Sequence, residues 1–288
     1  MSIISHGHGL FTGSLSDDRD KDVHVLKVRA ALNEFELGRF LLSNLGLNGY
    51  WTSYVLLHPK QGRQTRLSSD GTPLTELEAW LLDCCPIILA TQERFQTFRE
   101  LTQPRISSGM RIASIPSGLM DDLLTLTYSD TTNIEVTAVD LDPSSLEYAR
   151  LAYQGSGLKI KVNFEERDAW NLGSTERWDL ITSNGLNIYV EDDQRCEEFY
   201  KSIATSLRPN GVFILSFITP PEHWRPYNVE DLAFQRFLFN EALPVKWQSM
   251  RDETTTKAQL SKAGFEVLSV VYDNQRMFPA VLAKNTNA

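Results

Sequence analysis

The sequence is short of cysteine, of positive charge and of long apolar runs, and each shortage removes a class of protein. Three cysteines in 288 residues, two of them adjacent at Cys84 and Cys85, make no disulfide framework. None stands at metal-ligand spacing with a histidine, so a reducing compartment is expected and a metal site is not. Against 37 acidic residues there are 28 basic ones, a formal charge of -9. Binding to a phosphate backbone is largely electrostatic, so nucleic acid is not an expected partner. Nowhere do about eighteen apolar residues run together. The start, MSIISHGHGLFTGSLSDD, lacks a basic region followed by a long apolar stretch, so a soluble, cytoplasmic protein with no membrane partner is expected. Internal repeats and low-complexity tracts are also missing.

What is present changes character near residue 106. Residues 1–22 read as a mobile lead-in, in which His6 and His8 belong to a flexible end rather than to a metal. From Val23 the pattern is helical, with Val28, Ala31, Leu32, Phe35, Leu42 and Leu45 on one face and Gly46 closing the helix. Residues 47–59 are aromatic and turn-prone, and 59–73 are polar enough for an exposed loop. Thr72-Pro73 opens a helix over 74–83. Pro86 opens another, with Ile87, Ile88, Ala90, Phe95 and Phe98 on its apolar side and Arg94, Arg99 and Glu100 on its wet side. Residues 1–105 therefore read as a helical appendage through which two copies could pair.

Beyond it, strands and helices alternate. Ile112, Ala113 and Ile115 stop at Pro116-Ser117-Gly118, and Leu119, Met120, Leu123, Leu124 and Leu126 then recur at threes and fours, a strand feeding a helix. Ile134, Val136, Ala138 and Val139 lead to Asp140, 22 residues after Gly118, where an acid would grip a ribose. Ile160, Val162 and Phe164 alternate before a turn at Asp168. Trp178, Leu180 and Ile181 begin a fourth strand that ends in SNGLNIYVEDD (183–193), and Asp192 or Asp193 can cap the helix that follows. Arg208-Pro209-Asn210-Gly211 reads as a turn before VFILSFI (212–218), an apolar run suited to a central parallel strand. Five strand signals separated by helices imply a doubly wound α/β sheet. A short helix near 257–263 precedes two close strand signals, 265–273 and 276–285, which must form an antiparallel hairpin at the sheet edge.

The succession IASIPSG, AVDLDPSSLEYAR, FEERDAW, WDLITSNGLNIY, LRPNGVFILSF, AGFEV and PAVLAK resembles the class I S-adenosylmethionine-dependent methyltransferases, over about residues 106–285. Within them it is similar to a bacterial subset with an S-x-P-x-G first loop and an SNGLNIY loop. The resemblance implies a Rossmann-like sheet, mostly parallel with an antiparallel C-terminal hairpin strand, in a domain of 106–288 with an insertion at 219–256 over the active-site face. It implies S-adenosylmethionine as cofactor and S-adenosylhomocysteine as product. It also implies methyl transfer to a small-molecule acceptor by in-line displacement.

Cofactor contacts are then expected at Ser114, Pro116 and Gly118 in the first loop, and at Asp140 and Leu141 after the second strand. Further contacts are expected at Asp168, Ala169 and Trp170 around the adenine and at Ser183, Asn184 and Gly185 beside the methionine part. Asp140 suits the ribose because a charged acceptor pairs well with two hydroxyls, and Asp142 with Pro143 already supplies the following helix cap. Asp168 could instead cap the turn at 168–172, and Trp170 could be core. Substrate candidates are Tyr50, Trp51, Asn187, Tyr189, His223 and Arg251; the bland alternatives are turn geometry for Asn187 and Tyr189 and surface roles for His223 and Arg251. Most aromatics in 219–247 read as glue for the insertion. The family's first loop carries an acid and three glycines; here Ser114, Pro116 and Met120 replace the acid, the first glycine and the third, so binding would need support from another acid such as Asp121. A nicotinamide dinucleotide would need G-x-G-x-x-G, which is absent. The altered loop also motivates a second class of function, a catalytically degenerate fold acting as a cofactor-binding or interaction protein.

Overall fold

The computed structural model describes residues 18–245 and 249–287. The helices are α1 (Asp18–Leu32), α2 (Glu36–Asn44), α3 (Gly49–Leu57), α4 (Gly62–Thr65), α5 (Glu76–Asp83), α6 (Pro86–Thr102), α7 (Asp121–Leu124), α8 (Pro143–Ser156), α9 (Asp193–Ser206), α10 (Val229–Phe237) and α11 (Glu253–Lys262). The strands are β1 (Arg111–Ser114), β2 (Glu135–Asp140), β3 (Lys161–Glu166), β4 (Trp178–Ser183), β5 (Leu207–Ser216), β6 (Phe265–Val271) and β7 (Ala280–Asn285). Two compact units result, Met1–Gln92 with Pro226–Lys246, and Glu93–Arg225 with Trp247–Ala288. The expected boundary at 105/106 and insertion at 219–256 compare with divisions at 92/93, 225/226 and 246/247.

The first unit is helical. The single helix expected over 23–45 is two, and it starts earlier, at Asp18. Gly38 explains the break: a Cβ there would stand 1.9 Å from the Leu32 carbonyl oxygen, so the chain folds back on α1 where only glycine fits. Leu45, at φ 54, closes α2 in place of Gly46. Residues expected to be turn-prone form α3, because Asn48 accepts a hydrogen bond from the Trp51 N–H and Trp51 is buried among the rings of Phe40, Tyr50 and Tyr54. Thr75 caps α5, two residues beyond Pro73. In the insertion, Phe234, Phe237 and Phe239 are buried, and the Phe234 ring packs tilted against Trp80 with centroids 4.5 Å apart; Trp247 and both N-terminal histidines lie outside the described residues.

The second unit holds one seven-stranded sheet in the order β3-β2-β1-β4-β5-β7-β6. Strands β1 to β5 pair in parallel, while β7 runs antiparallel to both β5 and β6, so the hairpin expected at the edge places its second strand inside. Both faces are covered. Ile112, Val136, Leu180 and Ile214 join one apolar cluster with Phe98 and Leu123, and their neighbours Ala113, Ile181, Phe213 and Leu215 join another with Phe199, Tyr200 and Ile203. A strand buried on both sides needs no polar face, hence the nearly continuous apolar runs. The expected turn at 208–211 is instead the irregular start of β5, since the register of β4 and β5 slips between Trp178 and Leu180. The helix after β1 shrinks to one turn, α7, because Met120 at φ 62 holds the preceding chain in a left-handed bend. Strand order reverses between β1 and β4, and a crevice opens at such a point beyond the carboxyl ends of the strands. Among the described residues no helix is long and apolar enough to cross a membrane.

Candidate functional site

The turn after β1 and the end of β2 are tied together. Asp140, last residue of β2, accepts from the Gly118 N–H through Oδ2 at 2.9 Å and from the Asp142 N–H through Oδ1 at 3.0 Å. Gly118 has φ 48, a left-handed conformation that glycine adopts without strain. An ionised carboxylate has about four acceptor sites, so two N–H bonds leave room for two hydroxyls. Burial raises the Asp140 carboxyl above the usual aspartate range. Beside it Leu141 is an apolar side chain left 65% exposed. Asp142 caps α8, as expected from Pro143.

Asp168 lies in the loop two residues after β3 rather than at the strand end. Its Oδ1 accepts from the Trp170 N–H at 2.9 Å, an Asx turn, and Ala169 beside it is buried. Trp170 is half-buried between Arg195, whose guanidinium lies 4.3 Å from its ring centroid, and Phe199. At the switch point Ser183 is fully buried with an unpartnered Oγ, Asn184 is half-buried, and Gly185 takes φ 102.

The acid missing from β1 comes from α7. Asp122, not Asp121, turns inward: its Oδ2 accepts from the Thr182 hydroxyl at 2.6 Å, and the Ser114 hydroxyl lies 3.5 Å from Oδ1. Ser114 and Thr182 are register partners on β1 and β4, so this carboxylate sits between the two strands at the switch point. Burial raises its pKa, while the hydroxyl and backbone N–H bonds act against that rise. A signal existed in the sequence, since Asp122 stands three residues after Leu119 and four before Leu126, on the apolar face.

Several substrate candidates are placed elsewhere. Arg251 is 5% exposed and donates to the carbonyls of Asn187 (3.0 Å) and Val190 (2.8 Å) and to Asp193 (2.8 Å), so it anchors the SNGLNIY loop instead of meeting a ligand. Asn187 is buried as well. Trp51 is core of the first unit, and Tyr50 is half-buried edge-on against it. Tyr189, 65% exposed, stands at the end of a 3₁₀ turn, and His223 is exposed on another. Arg94, expected on the wet side of α6, is buried. It follows Ile87 by seven residues and precedes Phe98 by four, and so shares their face.

An acid closing the second strand, a glycine turn after the first and this sheet order define a Rossmann-like methyltransferase fold. A family model described as a methyltransferase domain matches residues 122–211. A Bordetella parapertussis structure described as a possible exported protein is 35% identical, covers 92% of this chain and 88% of its own, and superposes with a TM-score of 0.84. Magnesium protoporphyrin IX methyltransferase from Synechocystis, with bound S-adenosylhomocysteine, is 12% identical, with coverage of 81% and 99% and a TM-score of 0.54. The [4+2]-cyclase SpnF, 12% identical with coverage of 69% and 82%, gives 0.52. The last two share the fold alone. No curated protein matches significantly. Residues 122–211 match a methyltransferase domain, and the chain shares the Rossmann-like methyltransferase fold.

Proposed function

We propose that the protein transfers a methyl group from S-adenosylmethionine to a small-molecule acceptor. The observation that carries this is the Asp140 carboxylate, held at the end of β2 by two N–H donors with acceptor capacity to spare. Asp140 would hold the ribose, Asp168 and the Ala169 backbone the adenine edge, with Leu141 and Trp170 against its faces. Ser183, whose buried hydroxyl lacks a partner, and Gly185 would meet the methionine part. When bound, the cofactor would supply an electrophilic methyl on a sulfonium, whose carbon the acceptor's lone pair would attack in line as the carbon–sulfur bond breaks and S-adenosylhomocysteine leaves. Such a step needs little covalent help, so this chain's contribution is to orient two ligands and exclude water. When ionised, Asp122 would place a negative charge near the cationic end of the cofactor.

Calorimetry with S-adenosylmethionine and S-adenosylhomocysteine tests cofactor use, and a methyl-donor turnover screen over phenols, amines, thiols and acids tests transfer. Failure of both ligands to bind at millimolar concentration would sink the proposal. One observation favours a second reading, a cofactor-binding fold without transfer: Pro116 and the buried Met120 occupy turn positions where backbone would otherwise approach the ligand. Binding without turnover of any acceptor would favour it.

Cytoplasmic residence belongs to the same proposal and rests on three free cysteines; burial pushes the Cys84 thiol up to about 11. So does a homodimer through the N-terminal helices, where Val23 and Leu26 of α1 are exposed; sedimentation across concentrations reads it.

A further inference from the structure

The guanidinium of Arg94 is buried at the carboxyl ends of the central strands with most of its donors unused. It has five N–H groups. Among the described residues Nη1 makes its one hydrogen bond, to Ser216 Oγ at 3.3 Å, while Nε is inaccessible and unpartnered and no carboxylate stands within ion-pair distance of it. Asp273, an acid whose charge reaches it, already accepts from the N–H groups of Gln275 (2.9 Å) and Phe278 (2.6 Å). The cation rests on the Phe278 ring, 4.7 Å from its centroid. Burial lowers its pKa to about 10, so it keeps its charge at neutral pH. A buried charge without a partner is costly, and a fold retains one where a ligand supplies the partner.

Its position says which ligand. Nη1 stands 3.3 Å from where a Gly185 Cβ would be, Ser216 ends β5, and Phe278 precedes β7. The guanidinium therefore faces the ends of β4, β5 and β7. Gly118 and Asp140, which would hold the nucleoside, belong to β1 and β2. With strands about 4.8 Å apart, β5 is roughly 10 Å from β1, on the acceptor's side of the switch point.

We propose that Arg94 binds a carboxylate of the methyl acceptor, so that the enzyme acts on small carboxylic acids. This rests on the methyl-transfer reading above for the word acceptor only; the anion site is tested separately.

Matched acids and amides are titrated into the full chain with and without S-adenosylhomocysteine: para-hydroxybenzoate and its amide, para-aminobenzoate and its amide, mercaptopropionate and its amide. At least one acid is expected to bind about tenfold or more tighter than its amide, the scale of a charge-assisted pair. Arg94→Met is expected to remove that preference, to leave S-adenosylhomocysteine affinity within about twofold, and not to lower Tm, because an apolar side chain relieves an unpaired charge. Acids that bind no better than amides would overturn the proposal, as would a preference surviving in Arg94→Met. A variant that loses S-adenosylhomocysteine instead would assign the guanidinium to the cofactor's own carboxylate and also overturn it. Should Arg94→Met fold poorly, Arg94→Lys is expected to weaken acid binding about tenfold and spare the amides, since an ammonium lacks the planar fork; equal loss in both overturns the proposal. Loss of the methyl-transfer reading would show separately, as failure to bind either cofactor form while the acid preference persists in the cofactor-free protein.

Discussion

Gly118 donates its backbone N–H to Asp140 Oδ2 at 2.9 Å, so the turn after the first strand and the end of the second form one preset unit. Removing the charge disturbs both ends of that bond. Asp140→Asn is expected to weaken S-adenosylmethionine binding about tenfold to a hundredfold, the value of hydrogen bonds to a charged acceptor. Calorimetry checks it, and unchanged affinity would remove Asp140 from the ribose.

The same carboxyl sets a pH limit. Its folded pKa is raised by burial, so it takes up a proton at higher pH than a free aspartate, near 3.9. Cofactor affinity should fall as pH drops through that raised value, starting before an ordinary aspartate would titrate. The sign for stability is opposite. In the cofactor-free protein the contribution of Asp140 is fully present below its unfolded pKa and is lost as pH rises through the folded one. Affinity and Tm followed from pH 7 to 4 should diverge in Asp140-dependent fashion, and a matching profile in Asp140→Asn would refute the assignment.

Asp122→Ala leaves the buried Thr182 hydroxyl without its acceptor. A loss of about 1–3 kcal/mol in urea denaturation is expected. Because a negative charge favours the sulfonium form, Asp122→Asn should weaken S-adenosylmethionine more than S-adenosylhomocysteine, and equal effects on the two would count against the electrostatic role.

Arg251→Met removes the donors that hold the Asn187 and Val190 carbonyls. The partner carboxylate of Asp193 is largely exposed and adds little. Stability should fall by about 2–3 kcal/mol through the two carbonyls left unpaired, with turnover reduced more than cofactor affinity, as stopped assays and calorimetry would show.

Trp51→Ala should cost about 3–5 kcal/mol by emptying a site packed by three rings. If Trp51 instead met substrate, KM would rise with Tm unchanged.

Local apolar patterning was enough to fix the alternation of strands and helices, because a strand buried on both faces must be apolar throughout and a helix must repeat at three and four. The place of Asp140 was legible too, since a strand end followed by Asp142-Pro143 is fixed by local spacing. The break inside 23–45 needed the tertiary structure, because Gly38 is special only once Leu32 lies against it. So did the assignments of Asp122, Arg251 and Arg94. Whether a charged side chain is wet or buried depends on what packs over it. Here Asp122 is met by Thr182, Arg251 by the 187–193 loop, and Arg94 by Ser216 and Phe278, all residues distant in the chain that are brought together only by strand order.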